Sequence, residues 1–513
     1  MFRVVAVTSL LAAPIHAQTP KFVPVDVPVH EYNGGWEHFV GGGVAVFDCN
    51  DDDLPDLYAA GGANAAMLLR NISTPQGDVA FVDATPDLLA LTSVIGAYPI
   101  NLNNDAHMDL IILRVGPNIV RLGQGDCQFA ATDAFDEMAG SGWTTAFSAS
   151  WEQGQSLPTL AFGNYVDRDD PDGPFGACDS SYLYRPTEGG YGKALPLTPS
   201  FCPLSMLFSD WGRTGRRDLR ISNDRHYYVQ GGQEQLWAME PIPRLYGPSD
   251  GWADHQLWGM GIASRDITGD GLPEVMMTSM GDQRLQMRDM AQSGPAFLDA
   301  PYDLGTTAHR PYTGGDGRPS TGWHVEFGDV NNDGRDDIFI AKGNVEQMPG
   351  LAMKDPNNLL VQNSDGTFVE GGTQAGLASL HRGRGAALAD LNGDGLLEVV
   401  IVNRRAPMEV FQNTTSEAGN WVSFDLHQGG ANQNAIGAWI EVDIGGRIMA
   451  REVTVGGGHA GGQIGPQHFG LGQVEKARVR VIWPDQTVSD WRDVSAGHVF
   501  DVIRTGNSID FRN

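Results

Sequence analysis

Short apolar runs alternate along most of the chain with tight clusters of aspartate, asparagine and glycine. Trp323–Gly328 and Asp337–Lys342 show the arrangement clearly, each of strand length and strand composition. The stretch between them, from Asp329 to Asp336, suits a hairpin connection, and Gly334 stands where a sharp turn needs a positive φ. No long amphipathic helical period appears, so the predicted class is all-β and this loop is no helix-loop-helix.

The same punctuation recurs. Asp390-Leu-Asn392-Gly-Asp394-Gly395-Leu-Leu-Glu398, Asp266-Ile-Thr268-Gly-Asp270-Gly271-Leu-Pro-Glu274 and Asp48-Cys-Asn50-Asp-Asp52-Asp53-Leu-Pro-Asp56 repeat the spacing of Asp329, Asn331, Asp333 and Asp337. Weaker copies begin at Asn101 (Asn103, Asp105, Asp109) and Asp210 (Thr214, Gly215, Asp218). A further copy, found by aligning Leu157-Pro158 on Leu54-Pro55, puts Trp151, Gln153, Gln155 and Thr159 at the oxygen positions. Copies therefore start at 48, 101, 151, 210, 266, 329 and 390, a period that marks a propeller or solenoid. Two more strand candidates follow each hairpin, such as Ala66–Arg70 with Phe81–Ala84, and Asn358–Gln362 with Thr367–Val369. Four strands in each of seven units predict a seven-bladed β-propeller over 18–415. The last unit has a third strand at Met408–Gln412 and no fourth, so Phe22–Asp26 is predicted to close it and cover its edge.

In each full copy, side-chain oxygens at positions one, three, five and nine converge on a hairpin and would repel one another without a cation. A flexible set of carboxylate, amide and carbonyl oxygens suits calcium better than magnesium, which demands a tighter octahedron. The predicted Ca2+ ligands are Asp48, Asn50, Asp52 and Asp56; Asp266, Thr268, Asp270 and Glu274; Asp329, Asn331, Asp333 and Asp337; and Asp390, Asn392, Asp394 and Glu398. Loops repeated around a ring read as fold stabilisers. A ligand site is expected in the central channel or on the opposite face. Inner-strand positions before the loops are small (Gly43 and Ala45, Gly261 and Ala263, Gly385 and Ala387), except for His324 and Glu326. With Arg384 they form a candidate ligand-binding group at a channel mouth, suited to an anionic or sugar ligand or to acid–base chemistry.

Composition sharpens this picture. A net charge of -29 excludes a nucleic-acid binder, which needs a basic face. Met1–Ala17 reads as a cleavable export signal, and no later stretch has the length of an apolar membrane span. Cys49, Cys127, Cys178 and Cys202 are read as two disulfides; three pairings are open, and the blade frame favours Cys49 with Cys127 and Cys178 with Cys202. Past Asn420 the aspartate loops stop and short strands continue, predicting a β-sandwich-like domain over 420–505 and a tail over 506–513.

The repeats resemble the FG-GAP or VCBS repeats of integrin-α-like propellers. The last segment resembles the ASPIC/UnbV domain through Asn434-Ala-Ile-Gly-Ala438, Arg451-Glu452-Val-Thr-Val-Gly456-Gly457-Gly458, His468-Phe-Gly-Leu-Gly472 and Val481-Ile-Trp-Pro-Asp485, with Gln486 where the family usually has glycine. Together they resemble the secreted cartilage acidic protein-like family. That resemblance implies extracellular calcium-binding propellers for adhesion or ligand recognition, and no catalytic residues. The expected function is an exported, periplasmic or secreted, calcium-binding module for an extracellular glycan or protein. The alternative is a polysaccharide hydrolase or lyase using His324, Glu326 and Arg384; no nucleophile motif, catalytic-zinc string or phosphate loop accompanies it.

Overall fold

The computed structural model describes residues 19–138, 140–171, 176–224, 231–312 and 317–513; the export signal read over 1–17 lies outside the described residues. Among them the chain is almost entirely β and forms a propeller. Seven four-stranded antiparallel sheets have the inner strands Val44–Phe47, Val94–Ile100, Thr144–Ser150, Pro203–Ser209, Gly259–Arg265, Gly322–Gly328 and Arg382–Ala389. Each inner strand neighbours the next, and Arg382–Ala389 returns to Val44–Phe47, so the ring is closed. Five sheets are built by consecutive strands, and a sixth is interrupted before its outer strand Leu195–Leu197 by the small hairpin Pro186–Thr187 with Gly190–Tyr191. In the remaining one Phe22–Val25 pairs antiparallel with Glu409–Asn413, Phe22 opposite Asn413, supplying the outer strand as the sequence predicts.

Inner and second strands are buried along their length, which explains their continuous apolar character where a half-exposed sheet would alternate. The cysteines pair as Cys49–Cys127 and Cys178–Cys202. The first bridge ties an aspartate loop to the outer turn of the next sheet. No helix among the described residues is long and apolar enough to cross a membrane.

The C-terminal domain is two four-stranded sheets sharing one core. One holds Asn420–Gln428, Gln467–Gly472, His498–Thr505 and Ser508–Arg512; the other holds Trp439–Asp443, Ile448–Glu452, Lys476–Ile482 and Arg492–Ser495. The expected tail is thus a strand. Ser508 pairs with Thr505 across a two-residue turn in which Gly506 has φ 60°, and the hairpin continues to Asp501 opposite Arg512. The domain's core runs on into the propeller: Leu102 and Trp151 belong to the same buried cluster as Ala435, Ile436 and Trp483.

Candidate functional site

All four full aspartate loops fold the same way. The first aspartate accepts backbone N–H groups from within its own turn: Asp390 from Gly393, Asp394 and Gly395, Asp329 from Asp333 and Gly334, Asp266 from Gly269 and Gly271, and Asp48 from Asn50, Asp51 and Asp53. The acid opening the second strand bridges two strands. Asp337 accepts from Val330 and Gln362, Glu398 from Leu391 and Asn413, and Asp56 from Cys49 and Asn71. Burial pushes the carboxyl of Asp56 up to about 7, of Glu274 to about 8, and of Asp266 and Asp390 to about 6. Burial, reinforced by neighbouring carboxylates, raises Asp329, Asp337 and Glu398 well above the usual range.

The donor set fits a hard cation. Among the described residues, Asp333 with Arg335 at 3.3 Å is the one ion pair made by any ligand residue of the full loops. Asn50 Oδ1, at a ligand position, is buried without a hydrogen-bond partner. The degenerate copies differ in an instructive way. Asp218 is held by Arg216 at 2.9 Å, and beside Thr159 the carboxylate of Glu152 is held by Arg185 at 2.7 Å. A guanidinium there supplies the positive charge that the full loops would take from a cation. The copy at Asn101 is intermediate, with Asp109 accepting from Leu102 and Gly123 and Asn101 Oδ1 left unpartnered.

The loop face is covered by the C-terminal domain. Arg451 reaches Asp336 at 2.7 Å, Glu452 accepts the Asp210 N–H at 2.9 Å, and Arg213 reaches Glu441 at 2.7 Å. His468 Nε2 meets the Gly395 carbonyl at 3.1 Å, and a Cβ on Gly395 would fall 1.8 Å from the Trp421 ring. From this cap a strap, Val455–Gln463, descends into the channel and bonds to inner strands around the ring. Gly457 N–H donates to Met206 O and Gly458 N–H to Ile262 O, both at 2.7 Å, and Val46 N–H donates to Gly462 O at 3.1 Å. Gly456, Gly457 and Gly458 have φ of 127°, 75° and 53°, a run that side-chain-bearing residues rarely adopt.

The small axial residues follow from this strap. A Cβ on Gly43 would lie 1.8 Å from Ala460 O, and one on Gly96 1.6 Å from it. His324 is buried too: its Nδ1 accepts the His459 N–H at 3.1 Å, leaving Nε2 to face Glu326 at 3.3 Å. Glu326 also accepts the Leu388 N–H and the Gln463 amide. Arg384 lies apart from them, donating to the carbonyls of Phe39, Gly383, Asn344 and Val345. The expected grouping of His324, Glu326 and Arg384 at one mouth is therefore corrected, although His324 and Glu326 together line a small void beside the strap. The first two anchor the strap, and the third braces the far end of the channel, since a buried guanidinium needs carbonyl partners wherever they are found.

At that far end the channel opens. A cavity of about 400 Å³ is walled by Trp36, Phe39, Val40, Trp143, Tyr165, Met260, Trp323 and Met348. Trp36 and Trp143 meet edge to face at 5.3 Å, and Trp143 and Tyr165 at 5.0 Å. Arg384 lies 4.0 Å over Trp323, and His459, at the foot of the strap, is 5.0 Å from the same ring. Burial lowers His459 to about 3, so it packs as a neutral ring. Trp143 Nε1 is buried with no hydrogen-bond partner among the described residues, and Trp36 is 39% exposed at the rim. None of these aromatic residues was singled out from the sequence. Their signal, a Trp or Phe just before or at the start of an inner strand, is visible only once the ring assigns those positions to one mouth.

Residues 428–508 match the family described as ASPIC and UnbV. Over 124 residues the chain is 32% identical to Cartilage acidic protein 1 of Homo sapiens, covering 24% of this chain and 16% of that protein. It is 24% identical to the Mus musculus protein of the same name over 242 residues, 46% of this chain and 35% of that one. The chain thus spans well under half the length of these relatives. Among solved structures, BBS1N in complex with ARL6DN has a TM-score of 0.44 at 8% identity, over 77% of this chain and 97% of that one. An Agrocybe aegerita lectin, solved for its recognition of non-reducing terminal N-acetylglucosamine, has a TM-score of 0.40 at 13% identity, over 73% and 94%.

Proposed function

We propose that this chain, a relative of cartilage acidic protein 1 that ends in an ASPIC and UnbV domain, is an exported calcium-binding propeller that recognises an extracellular glycan at the far mouth of its channel. The carrying observation is the aromatic cavity that the strap leaves open. Its ~400 Å³ is within the range of small-ligand sites, and such sites join apolar walls to a few polar groups. Flat Trp and Tyr faces suit the C–H faces of a sugar ring, and the unpartnered Trp143 Nε1 supplies a donor. Two disulfides accord with an oxidising, secreted or periplasmic setting.

Calcium would be held by Asp48, Asn50, Asp52 and Asp56 and by the corresponding residues of the loops beginning at Asp266, Asp329 and Asp390. Bound there, it supplies the positive charge that buried carboxylates otherwise lack. Its task in this reading is structural, holding each hairpin in the shape on which the C-terminal domain rests. This reading is preferred to a hydrolase or lyase because the strap engages His324 and Glu326 and Arg384 donates to carbonyls elsewhere.

A glycan array probed with the full chain in ~5 mM calcium tests the proposal. Binding to a defined glycan set, reduced at least tenfold by Trp36→Ala with melting unchanged, is expected. No glycan binding, or binding indifferent to Trp36→Ala and to Trp323→Leu, would sink it.

A further inference from the structure

The sheet of the C-terminal domain that holds Asn420–Gln428 carries a cluster that neither the aspartate loops nor the cavity uses. Strands Asn420–Gln428 and His498–Thr505 run parallel, with Asp425 level with Asp501. Alternation sends Val422, Phe424 and Leu426 into the core and Asp425 and His427 to the opposite face. There His427 Nε2 stands 3.6 Å from Asp425 Oδ2 and 3.8 Å from Asp501 Oδ1. Both separations exceed a hydrogen bond. They approach the spacing of ligands around a shared ion, because tetrahedral ligands ~2.05 Å from zinc lie ~3.3 Å from one another.

We propose that Asp425, His427 and Asp501 bind a divalent transition metal, zinc above all, at a site distinct from the calcium loops. All three ligand atoms lie within 4.8 Å of one another. The charge balance points the same way. Glu441, Asp443, Asp485 and Asp510 of this domain each hold an arginine, whereas the ion pairs of Asp425 and Asp501 among the described residues run to His427 alone. An imidazole nitrogen with two carboxylates selects zinc over calcium, which takes six to eight oxygens. Three protein ligands leave a coordination position for water or for a group on a partner. The site is reachable, since the His427 side chain is 40% exposed.

Zinc chloride titrated by calorimetry into the full chain, stripped of other metals and held in ~5 mM calcium, is the test. One saturable site is expected, weakened at least tenfold in His427→Ala, in His427→Gln and in Asp501→Asn, each melting as the parent does in calcium. Cobalt(II) in place of zinc should give a visible absorption band that His427→Ala abolishes. The inference is overturned by no zinc uptake, by an affinity in the histidine variants equal to the parent's, or by displacement of the zinc as calcium is raised further, which would assign it to a propeller loop.

Discussion

The two mouths of the propeller channel are opposites. On the loop face, charged and carbonyl groups meet a second domain, and a glycine strap fills the axis down to His459. On the far face, aromatic side chains surround open space, and the strap meets them from below through His459 against Trp323. The difference lies in what each face must satisfy. Loop-face carboxylates are buried and need cations or N–H donors; the loop amides and the packed domain supply donors, and the proposed calcium would supply the cations. The far cavity's charged lining is already engaged, Glu346 by Arg404 at 2.8 Å and Asp224 by the Tyr165 hydroxyl, so it can stay open without leaving charge unpaired. Under the proposed function, the repeated acidic loops mark the face devoted to stability, and the recognition surface falls opposite.

The comparison can be broken in several places. The largest effect is expected from calcium removal. At ~10 mM and dissociation constants of ~10⁻⁴ to 10⁻³ M, each occupied loop stabilises by about 1.4 to 2.7 kcal/mol, so EGTA should lower the melting temperature sharply. Identical melting with and without calcium would mean that the loops stand on their own hydrogen bonds. Next comes Gly96→Ala, whose Cβ would overlap Ala460 O. A cost of about 1–3 kcal/mol and new protease cleavage within 455–463 are expected. Gly189→Ala, with nothing within 4 Å of the added Cβ, should stay within ~0.5 kcal/mol of the parent.

A pH series in EGTA sharpens the electrostatic side. Asp56, Glu274, Asp266 and Asp390 have folded-state values of about 7, 8, 6 and 6, above those of the unfolded chain. The folded form then holds protons that the unfolded form has released, so stability falls as pH rises from about 4 to about 8. Calcium should flatten that slope, because it replaces the protons. A slope of the same size in saturating calcium would contradict the assignment. Trp36→Ala at the open rim should cost under ~1 kcal/mol by thermal melting while abolishing the proposed glycan binding.

Much of the propeller was legible because a repeat repeats its chemistry. The aspartate spacing set the frame, the missing fourth strand after Met408 pointed to Phe22–Asp26, and the frame favoured the observed cysteine pairs. What escaped was long-range. Gly43 and Ala45 were read as crowded without showing that Ala460 and Gly462 do the crowding, since contact between residues so far apart leaves no local period. His324 was rightly singled out as the odd residue on a small-residue strand, but its partner is the His459 N–H. Ser508–Arg512 was missed because its sequence, Ser-Ile-Asp-Phe-Arg, is half exposed and too short to stand apart from a tail.

Hydrogen exchange on the strap tests the central contrast most directly. Amides of Gly457, Gly458 and Ile464, bonded into the ring, should exchange in calcium as slowly as those of the inner strands Val44–Phe47 and Gly259–Arg265. Exchange at the rate of an exposed loop would show the channel open at both mouths and contradict the account.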